Sequence, residues 1–121
     1  MSEMKTVRTS ELIGAPLDWA VAKTQGVEID LPGSDVVWAK YAGAYSPSTN
    51  WNQGGPLIGK HGFDFEWVGS DWHGKPIKQF CANGYDLAAE GWGDTHLIAA
   101  CRAIVAANLG DEVQIPAELL P

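Results

Sequence analysis

Apolar residues at helical spacing predict one helix near each end of the chain. The first helix follows Pro16, a residue suited to a first helical turn, and it stops at Gly26. The last helix begins after Asp94 or Thr95, either of which can cap it, and it stops at Gly110. The apolar stripe of the last helix consists of Leu97, Ile98, Cys101, Ile104, Val105 and Leu109.

The segment between these helices shows the alternation that is typical of strands. Phe63, Phe65 and Trp67 share one face of a predicted strand, and Asp64 and Glu66 share the other face. Further short strands or extended segments are expected at residues 27–31, 36–41, 57–58, 77–81 and 113–116. Residues 83–93 are glycine-rich and predict irregular structure, and residues 1–8 are expected to be flexible.

This order of elements predicts the α+β class, with an N-terminal and a C-terminal helix packed on one face of a small, mostly antiparallel sheet. The length of 121 residues fits a single domain over residues 1–121, and 45% apolar residues are enough for a core. No apolar run is long enough to span a membrane, and the residues after Met1 contain no hydrophobic stretch that resembles a signal peptide, so we expect none. With only two cysteines, we expect a reduced, cytoplasmic protein.

The charge balance narrows the class of partner. Eight basic and fifteen acidic residues give a net charge of −7, whereas nucleic-acid binding requires a basic surface. The acidic residues are scattered along the chain, so a mimic of DNA would need the fold to align them on one face. We therefore expect neither a nucleic-acid nor a membrane partner.

The segment Tyr45–Ile58 has a composition that fits neither a plain helix nor a strand. It combines two aromatic residues, several small polar residues, two prolines and a Gly-Gly pair. We expect a rigid loop whose polar side chains satisfy their own backbone and whose Trp51 fills the core. The alternative is recognition of a ligand or partner, with Tyr45 and Trp51 as stacking surfaces and the glycines allowing positive φ and close approach. The polar groups available for recognition include Ser48, Asn50, Asn52 and Gln53.

Three blocks carry a family resemblance: TSELIGAPLDWAVAK at 9–23, YSPSTNWNQGGPLI at 45–58 and LIAACRAIVAANLGDEV at 97–113. Together they resemble the NinX-like family of small proteins from temperate phages and prophages, over nearly the whole chain. The resemblance implies a phage or prophage origin and a bacterial host cytoplasm. It implies no activity and transfers no catalytic residue.

Catalytic and metal-binding residue patterns are weak. His61, Asp64, Asp71 and His73 lie close together in the sequence, but their spacing matches no metal-ligand motif. Cys101 falls in the apolar stripe of the last helix, where a thiol is usually inert. We therefore expect no metal, no cofactor and no catalytic residue. The alternative is that the protein is a small enzyme that uses histidines and carboxylates of residues 60–96.

The tryptophans are the remaining candidates. Trp67, Trp72 and Trp92 cluster with Tyr85 in the least regular part of the chain. We expect most of them to be buried in the sheet; exposed, they would form a platform for a partner.

The function predicted from the sequence is a non-catalytic interaction domain that binds an unknown host or phage protein. Its contact residues would be those of the Tyr45–Ile58 segment together with Trp72 and Trp92. Two alternatives remain, namely a small-molecule or glycan binder that uses the same segment, and the small enzyme described above. A homodimer through the last helix is also open.

Overall fold

A computed structural model describes residues 3–30, 37–40 and 43–120. The elements are β1 (Met4–Arg8), a 3₁₀ turn (Thr9–Glu11), α1 (Gly14–Gln25), β2 (Ile29–Asp30), β3 (Val37–Ala39), β4 (Gly43–Tyr45), α2 (Trp51–His61), β5 (Phe63–Ser70), β6 (Pro76–Gly84), β7 (Glu90–Gly93), α3 (His96–Leu109), β8 (Glu112–Pro116) and a second 3₁₀ turn (Ala117–Leu119). The described strands form three small antiparallel sheets, ordered β1-β8, β2-β3-β4 and β5-β6-β7. The α+β class is confirmed, with the strands divided over three sheets.

The core lies between α1 and α3, and β3 and β8 close it from the sides. Its fully enclosed side chains include Leu12, Leu17, Val21, Val37, Cys101, Val105 and Ile115. Burial of each large aliphatic side chain contributes about 1.5–3 kcal/mol, so this helix pair accounts for much of the stability of the fold.

Both helix ends follow the sequence signals. Gly26 adopts a left-handed conformation after α1, with φ of 69°, and Gly110 has φ of 91° after α3. Of the two candidate caps for α3, Thr95 is the one used, because its side chain accepts a hydrogen bond of 3.1 Å from the Ile98 N–H. These helix ends are therefore determined by the capping residues and glycines at the ends themselves.

Residues 4–8 differ from the expectation of a flexible N-terminus, because they form β1. This strand pairs with β8 from Met4 opposite Pro116 to Arg8 opposite Glu112. Just beyond it, the Thr9 N–H donates to the Asp111 carbonyl at 2.8 Å. β1 is mostly exposed and has no apolar alternation, so its order comes from pairing with a strand about 100 residues away.

Four strands, β2, β3, β6 and β8, fall where the sequence predicted strands or extended segments, with shifted ends, whereas β4 was not predicted. β2 and β3 lie within predicted segments 27–31 and 36–41, whose ends Leu31, Val36 and Tyr41 lie outside the described residues. β6 covers the predicted segment 77–81 and extends it at both ends. The prediction of irregular structure at residues 83–93 is wrong at both ends, where β6 continues to Gly84 and where β7 forms.

The largest correction concerns the predicted loop Tyr45–Ile58, because most of it belongs to helix α2. Residues 57–58 are helical and not a strand. Asn50 caps the helix by accepting a hydrogen bond of 2.9 Å from the Asn52 N–H. Gln53 ties the helix to the preceding chain, since its amide accepts from the Ser46 N–H at 2.6 Å and donates to the Ala44 carbonyl at 2.8 Å.

Neither glycine of the Gly-Gly pair has a positive φ, and Gly54 is the one that close packing requires. A Cβ at Gly54 would lie 2.3 Å from the Pro47 carbonyl oxygen and 2.6 Å from a Leu97 methyl carbon. Glycine is therefore required where α2 meets its own preceding turn and α3. These tertiary contacts and the cap outweigh the low helix propensity of the sequence.

Candidate partner-binding surface

One face of β5 carries Phe63, Phe65 and Trp67, as the alternation predicted. Phe63 and Phe65 are half-buried, with ring centroids 5.9 Å apart, and Trp67 is 55% exposed. The expectation that Trp67 is buried is therefore wrong. An aromatic strand face is usually covered, so the elements that lie next to this one decide how much of it remains open.

Three further rings extend this face. Phe80 of β6 lies opposite Trp67, with ring centroids 5.0 Å apart. His96, the first residue of α3, lies 4.0 Å from the Phe80 ring and 4.8 Å from the Phe65 ring. Trp51, the first residue of α2, is 6.4 Å from His96 and 58% exposed. We call five of these six residues, Trp51, Phe65, Trp67, Phe80 and His96, the aromatic surface; Phe63 lies at its margin, next to His61.

Two glycines explain why the aromatic surface remains open. A Cβ at Gly91 would lie 2.1 Å from the Ala99 carbonyl oxygen, and one at Gly93 would lie 2.6 Å from an Ile98 methyl carbon. These glycines allow α3 to pack directly on β7 and β6. Because α3 sits at this end of the sheet, β5 is left at its margin with its aromatic side chains partly uncovered.

The two faces of the β5-β6-β7 sheet differ in charge. The aromatic surface contains no Asp, Glu, Lys or Arg. On the opposite face, Asp64 and Glu90 lie in one cross-strand row, and Glu66 lies in the next row with Trp92. The Trp92 indole N–H donates to Glu90 at 3.1 Å. The sheet therefore presents an aromatic face and an acidic face.

Comparison with known proteins identifies the family. A family model described as "Bacteriophage P22, NinX" matches residues 8–108. The chain belongs to this phage family. A comparison with curated proteins gives no match. The matched range contains the whole aromatic surface, and the resemblance drawn from the three sequence blocks is confirmed.

Within this NinX-family fold, the predicted site residue Ser48 belongs to the interior, and Tyr45 is partly buried beside it. Tyr45 packs against the core, and burial raises the pKa of its hydroxyl to about 12. Ser48 is buried, and its N–H donates to the Asp18 carboxylate at 2.9 Å. Burial raises the pKa of Asp18 from its ordinary value of 3.8 to about 6, although contacts from Ser48 oppose the shift.

The polar side chains of the Tyr45–Ile58 segment mainly form hydrogen bonds with nearby backbone groups, as we expected from the sequence. Asn50 caps α2, and Gln53 forms hydrogen bonds with the backbone of Ser46 and Ala44, while the side chain of Asn52 is exposed. Trp51 does not fill the core. Of the predicted residues in this segment, Trp51 alone contributes to the aromatic surface.

Trp72 and Trp92 lie away from Trp51. Trp72 is 89% exposed at the tip of the β5–β6 hairpin, where the Asp71 carboxylate accepts hydrogen bonds of 2.9 Å from the N–H groups of His73 and Lys75. Trp92 is half-buried on the acidic face of the sheet. The predicted burial is wrong for Trp72 and also for Tyr85, which is 94% exposed.

Among the described residues, one histidine side chain lies within hydrogen-bond distance of a carboxylate, as the enzyme hypothesis requires. His61 Nδ1 lies 2.9 Å from the Asp86 carboxylate, and His61 is 8% exposed. The other ring nitrogen, Nε2, is buried without a hydrogen-bond partner among the described residues, so a substrate has no direct access to it. Within residues 3–30, 37–40 and 43–120, no cluster of three potential metal ligands is found.

The two cysteines are free and buried. Burial raises the pKa of the Cys101 thiol far above its ordinary value, and burial together with Glu90 raises that of Cys81. Neither thiol therefore has the lowered pKa of a nucleophile.

Sequence reasoning missed Phe80 and His96 as parts of a surface. Phe80 lies in a predicted strand, but only the register with β5 places it opposite Trp67. His96 follows the helix cap, and only the position of α3 brings it between the aromatic rings. Among the described helices, none has both the length and the apolar character needed to cross a membrane.

Proposed function

We propose that this phage protein is a non-catalytic interaction domain that binds a host or phage protein through the aromatic surface. The observation that carries the proposal is the exposure of Trp51 and Trp67 at the two ends of one contiguous set of rings. Large exposed aromatic side chains are the residues that most often dominate protein–protein binding energies.

The chemistry of the surface indicates the kind of contact. Its rings carry no net charge when His96 is neutral, so apolar side chains and arginine guanidinium groups of a partner can stack on them. The net charge of −7 accelerates association with a basic partner and disfavours nucleic acid. We place this binding in the cytoplasm of the bacterial host.

The test compares capture of host and phage proteins by the intact chain with capture by Trp67→Ala. The matched control is Trp72→Ala, because Trp72 is also an exposed tryptophan and lies outside the aromatic surface. We expect a partner that is retained by the wild type and by Trp72→Ala and is lost with Trp67→Ala, while all three chains show the same thermal unfolding. A partner retained equally by Trp67→Ala, or none retained by the wild type, would refute the proposal.

A second candidate is binding of a small molecule, because a cleft of about 300 Å³ lies between the starts of α2 and α3. Its lining includes Ser48, Thr49, Trp51, Thr95 and His96. This volume is at the lower end for ligand pockets. Saturation-transfer NMR with a set of small polar and sugar-like compounds tests it; a Trp51→Ala variant that loses no signal, or no signal in the wild type, excludes this candidate.

A further inference from the structure

β5 is an eight-residue strand at the edge of its sheet. One side pairs with β6, and no backbone group of the described residues pairs with its other side. In an edge strand, alternate N–H and C=O groups point outward and are available to a further strand. The outer edge of β5 is therefore a template for β-strand addition.

The side chains of β5 define what a partner strand must carry. Phe63, Phe65 and Trp67 point to the aromatic face, whereas Asp64 and Glu66 point to the acidic face. Both carboxylates are exposed, and neither forms an ion pair within the described part of the chain. A strand paired here would place its own alternate side chains beside these two sets.

A second copy of the chain fits this edge poorly. In an antiparallel pair of two β5 strands, the same faces align, so Asp64 and Glu66 of one copy would lie beside those of the other. Like charges across a strand pair are destabilising. Charged residues of this kind are also a common means of preventing edge-to-edge association.

We propose that β5 receives an extended segment of a partner protein in which Lys or Arg alternates with apolar residues. This inference rests on the function proposed above and specifies the partner. Main-chain hydrogen bonds to the outer edge supply affinity, the basic side chains pair with Asp64 and Glu66, and the apolar side chains extend the aromatic surface beside Phe65 and Trp67.

The probe is a fluorescein-labelled peptide with Lys and Val alternating over nine positions, titrated against the intact chain by fluorescence anisotropy. Two comparison peptides keep the same length, one with Glu in place of Lys and one with the lysines grouped together. Two more carry N-methyl groups on the odd or on the even amides, so that each blocks one hydrogen-bonding side of the peptide.

We expect the alternating Lys peptide to bind at least about tenfold more tightly than the Glu and grouped peptides, since two ion pairs and the pairing register together supply about 1.4 kcal/mol. Asp64→Lys combined with Glu66→Lys should reverse the preference between the Lys and Glu peptides. Asp111→Lys combined with Glu112→Lys changes the net charge equally and should not reverse it, because Glu112 begins β8 in a different sheet and Asp111 directly precedes that strand. One N-methyl pattern should weaken binding far more than the other.

Equal binding of the Lys and Glu peptides, or equal effects of the two N-methyl patterns, would overturn the inference. A dimer seen by sedimentation and competed by the Lys peptide would assign this edge to a second copy, which also overturns it. If Trp67→Ala abolishes partner capture while the peptides show no such dependence, the interaction function stands and strand addition falls.

Discussion

The buried Asp18 carboxyl makes the stability of this fold depend on pH in a direction opposite to that of a paired surface acid. Asp18 is 4% exposed, and burial raises its pKa from 3.8 to about 6. Between these two pH values the folded state binds more protons than the unfolded state. The free energy of unfolding therefore falls as the pH rises from about 4 to about 6, and this loss persists at higher pH.

The magnitude follows from the size of the shift. A change of about two pKa units corresponds to about 3 kcal/mol of differential free energy between the protonated and charged forms. Asp18→Asn removes the charge and retains an oxygen that can accept the Ser48 N–H hydrogen bond. We expect the variant to exceed the wild type in stability by about 2–3 kcal/mol at pH 7 and to approach it near pH 4.

Urea unfolding followed by tryptophan fluorescence from pH 4 to pH 8 measures the stability of both proteins. Because the other groups titrate equally in both, the difference between the two curves reports on Asp18. Asp64→Asn is the matched control, since Asp64 is exposed on β5, and its effect should stay within about 0.5 kcal/mol at every pH. A difference between the wild type and Asp18→Asn that is the same at pH 4 and pH 7 would refute the reasoning, as would an Asn variant that is less stable at pH 7.

Three further predictions concern packing, capping and thiol access. Gly91→Ala should lower the free energy of unfolding by about 3 kcal/mol or more, because the added Cβ would clash with the backbone of α3. Gly59→Ala is the control, because nothing lies within 4 Å of a Cβ added there. In the same urea assay it should raise the free energy of unfolding by about 0.5–1 kcal/mol. Thr95→Ala should cost about 1 kcal/mol through loss of the α3 cap, whereas Thr95→Ser should restore most of it. Cys101 should react with a thiol reagent only as fast as the protein unfolds. Labelling of Cys101 in the native protein within minutes at pH 8 would contradict its burial.

Local signals predicted the parts of this fold that depend on local chemistry. The apolar stripe of α3 from Leu97 to Val105, the Thr95 cap and the alternation of β5 each depend on a few neighbouring residues, and each was confirmed. Leu109, which was predicted to belong to the stripe, is 40% exposed. The same signals failed for α2, because Gly54, Gly55 and Pro56 disfavour a helix when they are considered alone. Contacts with distant residues outweigh that preference in the folded chain.

The candidate site was predicted only in part for the same reason. Trp51 could be selected as an unusual aromatic residue in a polar segment, but its neighbours His96 and Phe80 come from other elements. The grouping of Trp51 with Trp72 and Trp92 was wrong, since a hairpin tip and the opposite sheet face separate them. For residues in different strands, distance along the sequence does not determine whether their side chains lie on the same side of a sheet.

By itself, the sequence determined the phage family, the α+β class, the two flanking helices and the aromatic alternation of β5. The tertiary structure decided which aromatic side chains face solvent. The physical reason is the close contact at Gly91 and Gly93, which places α3 over β7 and β6 and leaves β5 at an open edge. Exposure depends on how elements pack together, and no single segment of the chain encodes that arrangement.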